Sequence, residues 1–516
     1  MRGVWRVADV RAAEEKLMAT LPPLALMRRA AEGLARRCAQ LLGDSGGVYG
    51  RRVALLVGAG NNGGDALFAG ALLARRGVAV RALLLAPERT HADGLAELRR
   101  CGGRAVEATS GSAAAAALRE AAPDLVIDGI VGIGGRGGLR GPAAEAVAAV
   151  DALRPRPIVV AVDVPSGVEV DTGAVDGPAV RADVTVTFGC LKPALAVGPA
   201  VPLAGLVDVV DIGLSDPEGE PAAWLPDRED IAAWWPGPGP ASDKYSRGVA
   251  GLATGSAGFP GAALLSVAGA LAGPAGMVRY AGPVAADVVR AHPSVVISDS
   301  VASAGRVQAW LVGCGIGTDD RAAAELRAVL AAPVPVVVDA DAITLAGDPA
   351  VTDLLRNRSA PTVVTPHDRE YTRLAGQPVG PDRLAAAREL AERLGVVVLL
   401  KGYRTVIAHP DGGAWVNPTG TPALATAGTG DVLAGLLVSL LAGGLPAERA
   451  ALAAAYVHGL AARHAASAIS PDDLAGPVTE DGNRPSEGIG GVTRPVTAQD
   501  VANALPMVIA SLGRPY

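Results

Sequence analysis

A glycine-rich loop with two asparagines and an aspartate lies early in the chain, at residues 58–66 (GAGNNGGDA). Its glycines have the G-x-G-x-x-G spacing with which dehydrogenases hold the pyrophosphate of a dinucleotide. A helix is predicted to begin near Gly64, and a pyrophosphate would rest on its N-terminus. Asp65 would place a carboxylate at that point and repel the phosphates. The loop therefore favours a polar ligand other than a hydride-transfer cofactor.

Polar residues also end or follow three later apolar runs of the first half. They are Asp128, Asp163 and Lys192. Asn62, Asp128 and Ser166 are hard oxygen donors, which suit a cation that is bound without thiolate or imidazole. Each of them alone could be a strand-end cap. Together, in three successive loops of one predicted sheet, they favour a binding site.

The second half carries the stretch ATAGTGDVLAG at residues 425–435. Gly428, Thr429 and Gly430 precede a predicted helix, whose free N–H groups and dipole form a site for an anion. Asp431 would lie in the first turn and face a phosphoryl group held there. The chain has no G-x-x-x-x-G-K stretch, so this is not a P-loop. The remaining alternative is an ordinary glycine turn.

Short β-branched runs alternate with alanine-rich stretches in both halves, which predicts two consecutive α/β domains with parallel sheets covered on both faces. A proline- and glycine-rich stretch at 215–242 separates them. Ligands of such sheets gather at the carboxyl ends of the strands. The predicted strands are 53–58, 78–85, 125–132, 157–164, 184–189 and 206–213, followed by 249–255, 309–317, 335–343, 361–367, 396–402 and 405–411.

Composition narrows the class of protein. The 516 residues are half hydrophobic and carry a formal charge of -6, which argues against nucleic acid or an anionic membrane as the partner. We find no secretory signal and no apolar stretch long enough to span a bilayer. The cysteines are widely spaced, so we expect reduced thiols in a cytoplasmic protein. Of the 46 basic residues, only four are lysines: Lys16, Lys192, Lys244 and Lys401. A lysine in a chain so rich in arginine reflects either chance or a position that needs a compact ammonium group.

Four stretches of the first half resemble the NAD(P)H-hydrate epimerase family: GNNGGD at 60–65, the loop at Asp128, DVPSG at 163–167 and the turn at Lys192. The resemblance covers residues 5–213. It implies a Rossmann-like domain that binds hydrated, damaged nicotinamide cofactor together with a potassium ion. Ala66, where the family usually has glycine, is a departure that affects local loop geometry.

The resemblance also implies roles for individual residues of this domain. Asp163 would be the acid and base for epimerisation at C6 of the nicotinamide ring, with help from Lys192. The potassium ligands would be Asn62, Asp128 and Ser166. The hydrate would be contacted by Asp163 and by a further set: Asn61, Asn62, Gly63, Gly64, Asp65, Gly132, Ile133, Gly134, Gly135, Arg136, Gly137 and Gly138.

The second half resembles the ADP-dependent NAD(P)H-hydrate dehydratase family, which has the ribokinase-like fold. In that family the nucleotide phosphorylates the C6 hydroxyl, and phosphate then leaves to restore the ring. The resemblance covers about 225–465, with departures at Asp243 and at the pair Asp368 and Arg369. The similar stretches are DKYSRG (243–248), TGSAGFPGAA (254–263), GCGIG (313–317), TPHDRE (365–370) and KGYRT (401–405).

This second resemblance likewise implies site residues. Asp431 would deprotonate the hydroxyl that receives the phosphoryl group, and Glu370 would organise magnesium. Residues 470–495 are predicted to form a long loop before a last helix and have no assigned function. The hydrate would be contacted by Ala262, Gly315, Gly317, His367 and Asp431. The nucleotide would be held by Lys401, Gly402, Tyr403, Arg404, Thr405, Gly428 and Gly430.

The two resemblances together imply a bifunctional repair enzyme, with an epimerase domain at 1–220 and a dehydratase domain at 221–516. The first would interconvert the R and S hydrates of NADH or NADPH with K⁺. The second would use Mg²⁺ and ADP, or ATP, to dehydrate the S form, with AMP and phosphate as products when ADP is used. We expect a homo-oligomer with no nucleic-acid or membrane partner. The alternative is a vitamin-precursor kinase fused to a non-catalytic Rossmann-like module, which would accumulate a phosphorylated alcohol.

Overall fold

The computed structural model describes residues 1–467 and 494–513. Most of the predicted long loop at 470–495 lies outside the described residues, whereas the predicted last helix is present at Ala498–Ser511. In the described part of the chain, no helix is both long enough and apolar enough to cross a lipid bilayer.

The chain divides into two units on either side of Ala223. The first comprises Gly3–Ala223, and the second comprises the residues from Trp224 onward together with Met1–Arg2. The division falls inside the proline- and glycine-rich stretch at 215–242. Each unit has its own mainly parallel sheet, which confirms the α/β class predicted from the sequence.

The strands of the first part of the chain are β1 (Arg2–Val4), β2 (Arg52–Val57), β3 (Ala79–Leu84), β4 (Arg104–Glu107), β5 (Leu125–Gly129), β6 (Ile158–Val162), β7 (Val184–Phe188) and β8 (Leu206–Val210). Seven of them form a parallel sheet in the order β4-β3-β2-β5-β6-β7-β8. The strand order reverses between β2 and β5, and this is where ligands bind in doubly wound folds. The short β4 was not predicted because its residues are only partly buried.

Helices cover both faces of this sheet. Leu55 and Ile127 point into the core formed with α2 and α3, whereas Leu56 and Val126 pack with α5 and α6 on the opposite face. Strands buried on both faces read as continuous apolar runs, which is why the sequence revealed them. The helices are α1 (Val7–Met18), α2 (Ala25–Asp44), α3 (Asn61–Arg75), α4 (Ala92–Arg100), α5 (Gly111–Ala121), α6 (Gly141–Asp151), α7 (Pro193–Ala196) and α8 (Val201–Ala204).

The strands of the second part are β9 (Ala223–Leu225), β10 (Val249–Ala253), β11 (Met277–Tyr280), β12 (Val296–Ile297), β13 (Ala309–Val312), β14 (Val336–Val338), β15 (Thr362–Val364), β16 (Val397–Leu400), β17 (Val406–Ala408) and β18 (Ala414–Val416). They follow the order β9-β18-β17-β16-β15-β14-β13-β10-β11-β12. Among these described strands, only the pairs β16–β17 and β17–β18 are antiparallel. Sequence patterns missed β9, β11, β12 and β18, each of which contains a partly exposed residue, whereas the equally short β14, β15 and β17 are fully buried.

The helices of the second part are α9 (Arg228–Trp234), α10 (Pro260–Ala272), α11 (Ala285–Ala291), α12 (Asp320–Leu330), α13 (Asp341–Leu345), α14 (Pro349–Arg356), α15 (Asp368–Ala375), α16 (Arg383–Leu394), α17 (Thr429–Ala442), α18 (Ala447–Ala466) and α19 (Ala498–Ser511). α10 and α17 pack very closely: a Cβ added to Gly435 would lie 2.0 Å from the carbonyl oxygen of Ser266. From Val432 onward α17 is buried. This packing fixes the position of its N-terminus.

Candidate active sites

The loop after β2 leads directly into α3, which begins at Asn61 and not near Gly64 as predicted. Gly58 lies against the loop that follows β5, because a Cβ added to it would be 2.0 Å from the carbonyl oxygen of Ile130. The first glycine of the fingerprint is therefore required by the packing of two loops. The earlier helix start places Asp65 beyond the first turn of α3, so its predicted position at the helix N-terminus was wrong.

A cavity of about 860 Å³ lies beside this loop in the first unit. This is large enough for a small-molecule ligand. Burial and the nearby carboxylates of Asp163 and Glu14 raise the pKa of Asp65 well above its usual value. A protonated Asp65 can donate a hydrogen bond to a neutral polar group of a ligand. The predicted substrate residues that line the cavity are Asn61, Asn62, Asp65, Gly132, Ile133, Gly134 and Asp163.

Some predicted substrate residues are not part of the described cavity wall. They are Gly63, Gly64 and residues 135–138. The backbone N–H of Gly135 closes a turn by donating to the carbonyl oxygen of Gly132 at 2.9 Å. Only the first half of the predicted substrate loop therefore faces the cavity.

Sequence reasoning missed one entire wall of the cavity. Helix α1 contributes Arg11, Glu14 and Glu15 to it. The segment that follows adds an apolar surface. No glycine-rich motif marks α1. The one feature of the sequence that could have pointed to this wall is the spacing of Arg11 and Glu14, which places them one turn apart on one face of the helix. The apolar surface consists of Met18, Leu21, Pro22, Pro23, Leu24, Leu26 and Met27.

The carboxylate of Asp163 is held by a buried hydrogen-bond network just beyond β6. Its Oδ1 accepts from the hydroxyl of Thr187 at 2.9 Å and from Nζ of Lys192 at 2.7 Å. Its Oδ2 lies on the side of the Gly132 loop. The backbone φ of Asp163 is 69°, a left-handed conformation that costs a non-glycine residue about 1–3 kcal/mol. The network holds the strained residue in the position that brings its carboxylate to the cavity.

Lys192 is a positioning residue in this arrangement. Besides Asp163, its Nζ donates to Oγ1 of Thr187 and to the carbonyl oxygen of Phe188, both at 2.9 Å. These contacts use all three ammonium hydrogens. The side chain is only 1% exposed and does not line the cavity. The predicted catalytic role of Lys192 therefore becomes one of holding Asp163.

Two of the three predicted potassium ligands contact each other. The Ser166 hydroxyl donates to Oδ1 of Asp128 at 2.7 Å, and the Ser166 N–H donates to Oδ2 at 2.9 Å. Burial raises the pKa of Asp128 to about 6, although the hydrogen bonds from Ser166 oppose the shift. The third, Asn62, lies beside Gly132: a Cβ added to that glycine would be 2.7 Å from Oδ1 of Asn62. The buried Nδ2 of Asn62 has no partner among the described residues.

The second unit brings a carboxylate and a thiol to the N-terminus of α17. Gly428 has a φ of 88° and directly precedes the helix. Donor atoms of Cys314, Asp339 and Asp431 all lie within 4.8 Å of one another. Burial and the neighbouring Asp339 raise the pKa of Asp431 to about 7. Sequence reasoning missed Asp339, although it directly follows an apolar strand, β14, and precedes Ala340, whose φ is 50°.

Lys401 joins this group from the end of β16. Its Nζ donates to Oδ1 of Asp339 at 2.8 Å and lies 3.5 Å from Oε2 of Glu370. Burial lowers the pKa of Lys401, but Asp339 and Glu370 prevail and raise it above its usual value. A Cβ added to Gly430 would be 3.6 Å from Nζ. The ammonium of Lys401, which is paired with Asp339 and Glu370, thus lies near the N-terminus of α17, where the helix dipole favours an anion.

His367 and Glu370 cap α15. Nδ1 of His367 accepts from the N–H groups of Arg369 and Glu370 at 3.0 and 3.2 Å, and Oε2 of Glu370 accepts from the His367 N–H at 2.8 Å. Because Nδ1 is an acceptor, a neutral His367 carries its proton on Nε2. The side chain is 48% exposed, so Nε2 is accessible to a ligand.

The remaining predicted residues of this unit form two groups. Ala262 touches Gly315, whose added Cβ would be 2.7 Å from that of Ala262, and the N–H of Gly317 donates to Oδ2 of Asp341 at 2.9 Å. In the loop 401–405, Arg404 stacks on the ring of the exposed Tyr403 at 5.4 Å. In the same loop the Thr405 hydroxyl donates back to the carbonyl oxygen of Gly402 at 3.3 Å.

The fold and the two sites together define a class of protein: an α/β enzyme with a Rossmann-like unit and a ribokinase-like unit. Family models agree with this division. A model described as YjeF-related protein N-terminus matches residues 23–194, and one described as NAD(P)H-hydrate dehydratase matches residues 250–477.

The chain is similar to curated proteins and to a solved structure. The Bifunctional NAD(P)H-hydrate repair enzyme Nnr of Mycobacterium tuberculosis (strain CDC 1551 / Oshkosh) is 51% identical over 452 residues, 87% of this chain and 91% of the relative. The enzyme of the same name from Mycobacterium leprae (strain TN) is 50% identical over 476 residues, 92% and 96% of the two chains. The solved ADP/ATP-dependent NAD(P)H-hydrate dehydratase of Bacillus subtilis, co-crystallized with ATP/Mg²⁺, is 28% identical, with a TM-score of 0.47, and covers 56% of this chain and 98% of its own. This chain belongs to the bifunctional NAD(P)H-hydrate repair enzyme family.

Proposed function

We propose that the first unit epimerises C6 of hydrated NADH or NADPH and that the second unit dehydrates the S epimer with ADP or ATP. One observation, made in both units, carries the proposal. A carboxylate lies at the carboxyl edge of each sheet, within a buried polar cluster that contains a lysine. In the first unit the pair is Asp163 and Lys192. In the second, Asp431 lies next to Asp339, which binds Lys401.

The epimerisation requires the C6 hydroxyl to leave and a water to return on the other face of the ring. Asp163 can accept a proton from that water, because its Oδ1 is held by Thr187 and Lys192 while Oδ2 lies on the cavity side. A protonated Asp65 can hydrogen-bond a polar substituent of the ring. Residues 18–27 add apolar side chains to the wall of the cavity.

A potassium ion fits the first site. Asp128 and Ser166 are fully buried oxygen donors, and Oδ1 of Asn62 lies beside Gly132 in the cavity wall. These three residues would hold the ion. When bound, it would supply a fixed positive charge that orders the loops carrying Asp128 and Ser166.

In the second unit, Asp431 would take the proton from the C6 hydroxyl as that oxygen attacks the terminal phosphorus. A pKa of about 7 suits a general base that works near neutral pH. Lys401 and the N–H groups at the start of α17 would hold the transferred phosphoryl group. Its departure as phosphate, with the loss of a ring proton, restores the dihydropyridine.

The predicted magnesium role of Glu370 has weaker support. Its Oε2 already accepts from the His367 N–H and lies 3.5 Å from Nζ of Lys401, and its Oε1 lies 3.5 Å from Nε2 of His367. These neighbours do not fit a divalent cation bound directly to Glu370. Homo-oligomer formation also stays a proposal, to be tested by light scattering of the purified chain.

The deciding experiment mixes the full chain with both epimers of NADH hydrate, with and without Mg²⁺ and ADP, and follows products by chromatography. We expect the epimers to interconvert without nucleotide, and NADH and inorganic phosphate to appear only with it. Accumulation of a phosphorylated product without NADH would instead support a kinase. Unchanged epimer ratios would contradict the role of the first unit.

A further inference from the structure

Four carboxylates line the cavity of the first unit, those of Glu14, Glu15, Asp65 and Asp163. Asp163 follows β6, Asp65 belongs to α3, and Glu14 belongs to α1. Asp163 is bound to an ammonium, that of Lys192. The buried Nδ2 of Asn62, also in the cavity wall, has no partner among the described residues. The cavity therefore offers more proton-transfer groups and hydrogen-bond donors than the role of Asp163 alone requires.

The chemistry of epimerisation requires two proton-transfer groups. The hydroxyl departs from one face of the ring, and the incoming water attacks the opposite face. The departing oxygen needs an acid and the arriving water needs a base, each within hydrogen-bond reach. One carboxylate fixed by a buried lysine cannot reach both faces of a bound ring.

We propose that Glu14 is the second catalytic group of the epimerisation, acting from α1 while Asp163 acts from the β6 loop. This inference rests on the proposed function of the first unit. The Glu14 carboxyl gives its proton to the C6 hydroxyl, and the C6–O bond breaks to release water as the N1 lone pair forms the N1=C6 bond. A water then bonds to C6 from the other face, returns the electron pair to N1 and gives its proton to Asp163. The reverse reaction carries the proton back to Glu14.

The surroundings of Glu14 suit this task. Burial and the charge of Asp163 raise the pKa of its carboxyl, whereas Lys192 and Arg11 lower it, so the net rise is limited. Burial and the charges of Asp163 and Glu14 raise the pKa of Asp65 well above its usual value. An acid must regain and release its proton near the working pH, which favours Glu14 over Asp65 as the cycling group.

The pH dependence follows from the charges around Glu14. The groups that act on it are Asp163, Lys192 and Arg11, and its own charge also acts on Asp65 and Cys190. The pair formed by Glu14 and Asp163 is active when it carries one proton. That proton is on Glu14 for one direction of the reaction and on Asp163 for the other. The rate should therefore fall at high pH, where Glu14 is ionised, in the direction in which it is the acid, and at low pH, where Glu14 is protonated, in the direction in which it is the base.

The test compares Glu14→Gln with Glu32→Gln, a control on the exposed face of α2, in the full chain. Interconversion of the separated R and S hydrates of NADH is followed without nucleotide between pH 5 and pH 9. Glu14→Gln should lose about 10²–10⁴-fold in kcat with a KM within a few-fold of the parent, and the fall in rate at high pH should disappear in the direction in which Glu14 is the acid. The ADP-dependent dehydratase rate, measured on the S hydrate in the same samples, should not change. Glu14→Asp should keep part of the activity and both limbs of the pH profile.

The outcomes separate this inference from the proposed function. A parent chain that does not interconvert the epimers would overturn both. An active parent with Glu14→Gln within three-fold of its rate would overturn only the role of Glu14. A loss of binding without a loss of kcat, or a high-pH limb that is unchanged in both directions in a slow variant, would make Glu14 a binding residue and also refute the proposal.

Discussion

Replacing Asp431 with asparagine should make the protein more stable and less active. Burial and Asp339 raise the pKa of Asp431 from 3.8 to about 7. The folded protein therefore binds this proton more tightly than the unfolded chain does. The stability that the protonated form contributes is complete below pH 3.8 and is lost as the pH rises to about 7. The asparagine side chain has the same shape but no charge, so Asp431→Asn removes this loss.

The size of the effect follows from the shift. One unit of pKa corresponds to about 1.4 kcal/mol. Asp431→Asn should therefore raise the free energy of unfolding by about 4 kcal/mol at pH 8 and by about 2 kcal/mol at pH 5. For a unit of this size, 4 kcal/mol corresponds to a rise in Tm of about 10 °C. Dehydration should meanwhile slow by about 10²–10⁴-fold, because Asn cannot accept the proton from the C6 hydroxyl.

The assay is thermal and urea unfolding of the full chain at pH 5 and pH 8, without nucleotide, beside the dehydratase rate. Asp411→Asn, whose side chain is 88% exposed, is the matched control and should change neither quantity. A stability gain that is the same at both pH values, or a loss at pH 8, would refute the charge argument. A variant that dehydrates the hydrate at the parent rate would refute the role as base.

Lys192→Met should lower the free energy of unfolding of the first unit by about 3–5 kcal/mol, because it leaves Asp163 without its buried partner. Urea unfolding measures this change, with Lys16→Met, at an exposed position, as the control. Equal effects of the two substitutions would contradict the prediction. Asp128→Asn should slow epimerisation and weaken its dependence on K⁺, and equal parent rates in Na⁺, K⁺ and Li⁺ would count against a potassium site. Residues 3–223 expressed alone should interconvert the epimers without nucleotide, whereas activity confined to the full chain would show that the unit is not autonomous.

The fold could be predicted from the sequence where strands are buried on both faces. Runs such as 53–58 and 125–132 contain almost no polar residue, since helices cover them on both sides. β4 and β12 could not be found in this way, because their residues are partly exposed and leave no continuous apolar run. The sequence predicts too late a start for α3, because glycine is typical of loops. Gly63 and Gly64 nevertheless lie inside the helix.

The sites were predictable only where one short stretch holds the chemistry. Asp163 and Asp431 stand in recognisable motifs, whereas Asp339 gains its importance from Lys401, which is 62 residues away in the sequence and is joined to it by a hydrogen bond at 2.8 Å. Glu14 lies on a helix with no motif, and only the folded chain brings it to the cavity of Asp163. The orientation of Lys192 away from the cavity likewise depends on three acceptors that no local pattern reveals.

Two residues with left-handed backbone conformations, Asp163 and Ala340, have a consequence for protein engineering. A redesign method that scores only backbone geometry would replace both with glycine, since each exchange relieves strain of about 1 kcal/mol or more. At position 340 the exchange removes only a methyl group beside Asp339. At position 163 it deletes the carboxylate to which Thr187 and Lys192 bind. A thermostabilised library of this protein should therefore keep aspartate at 163, where a favourable backbone score and catalytic activity demand different residues.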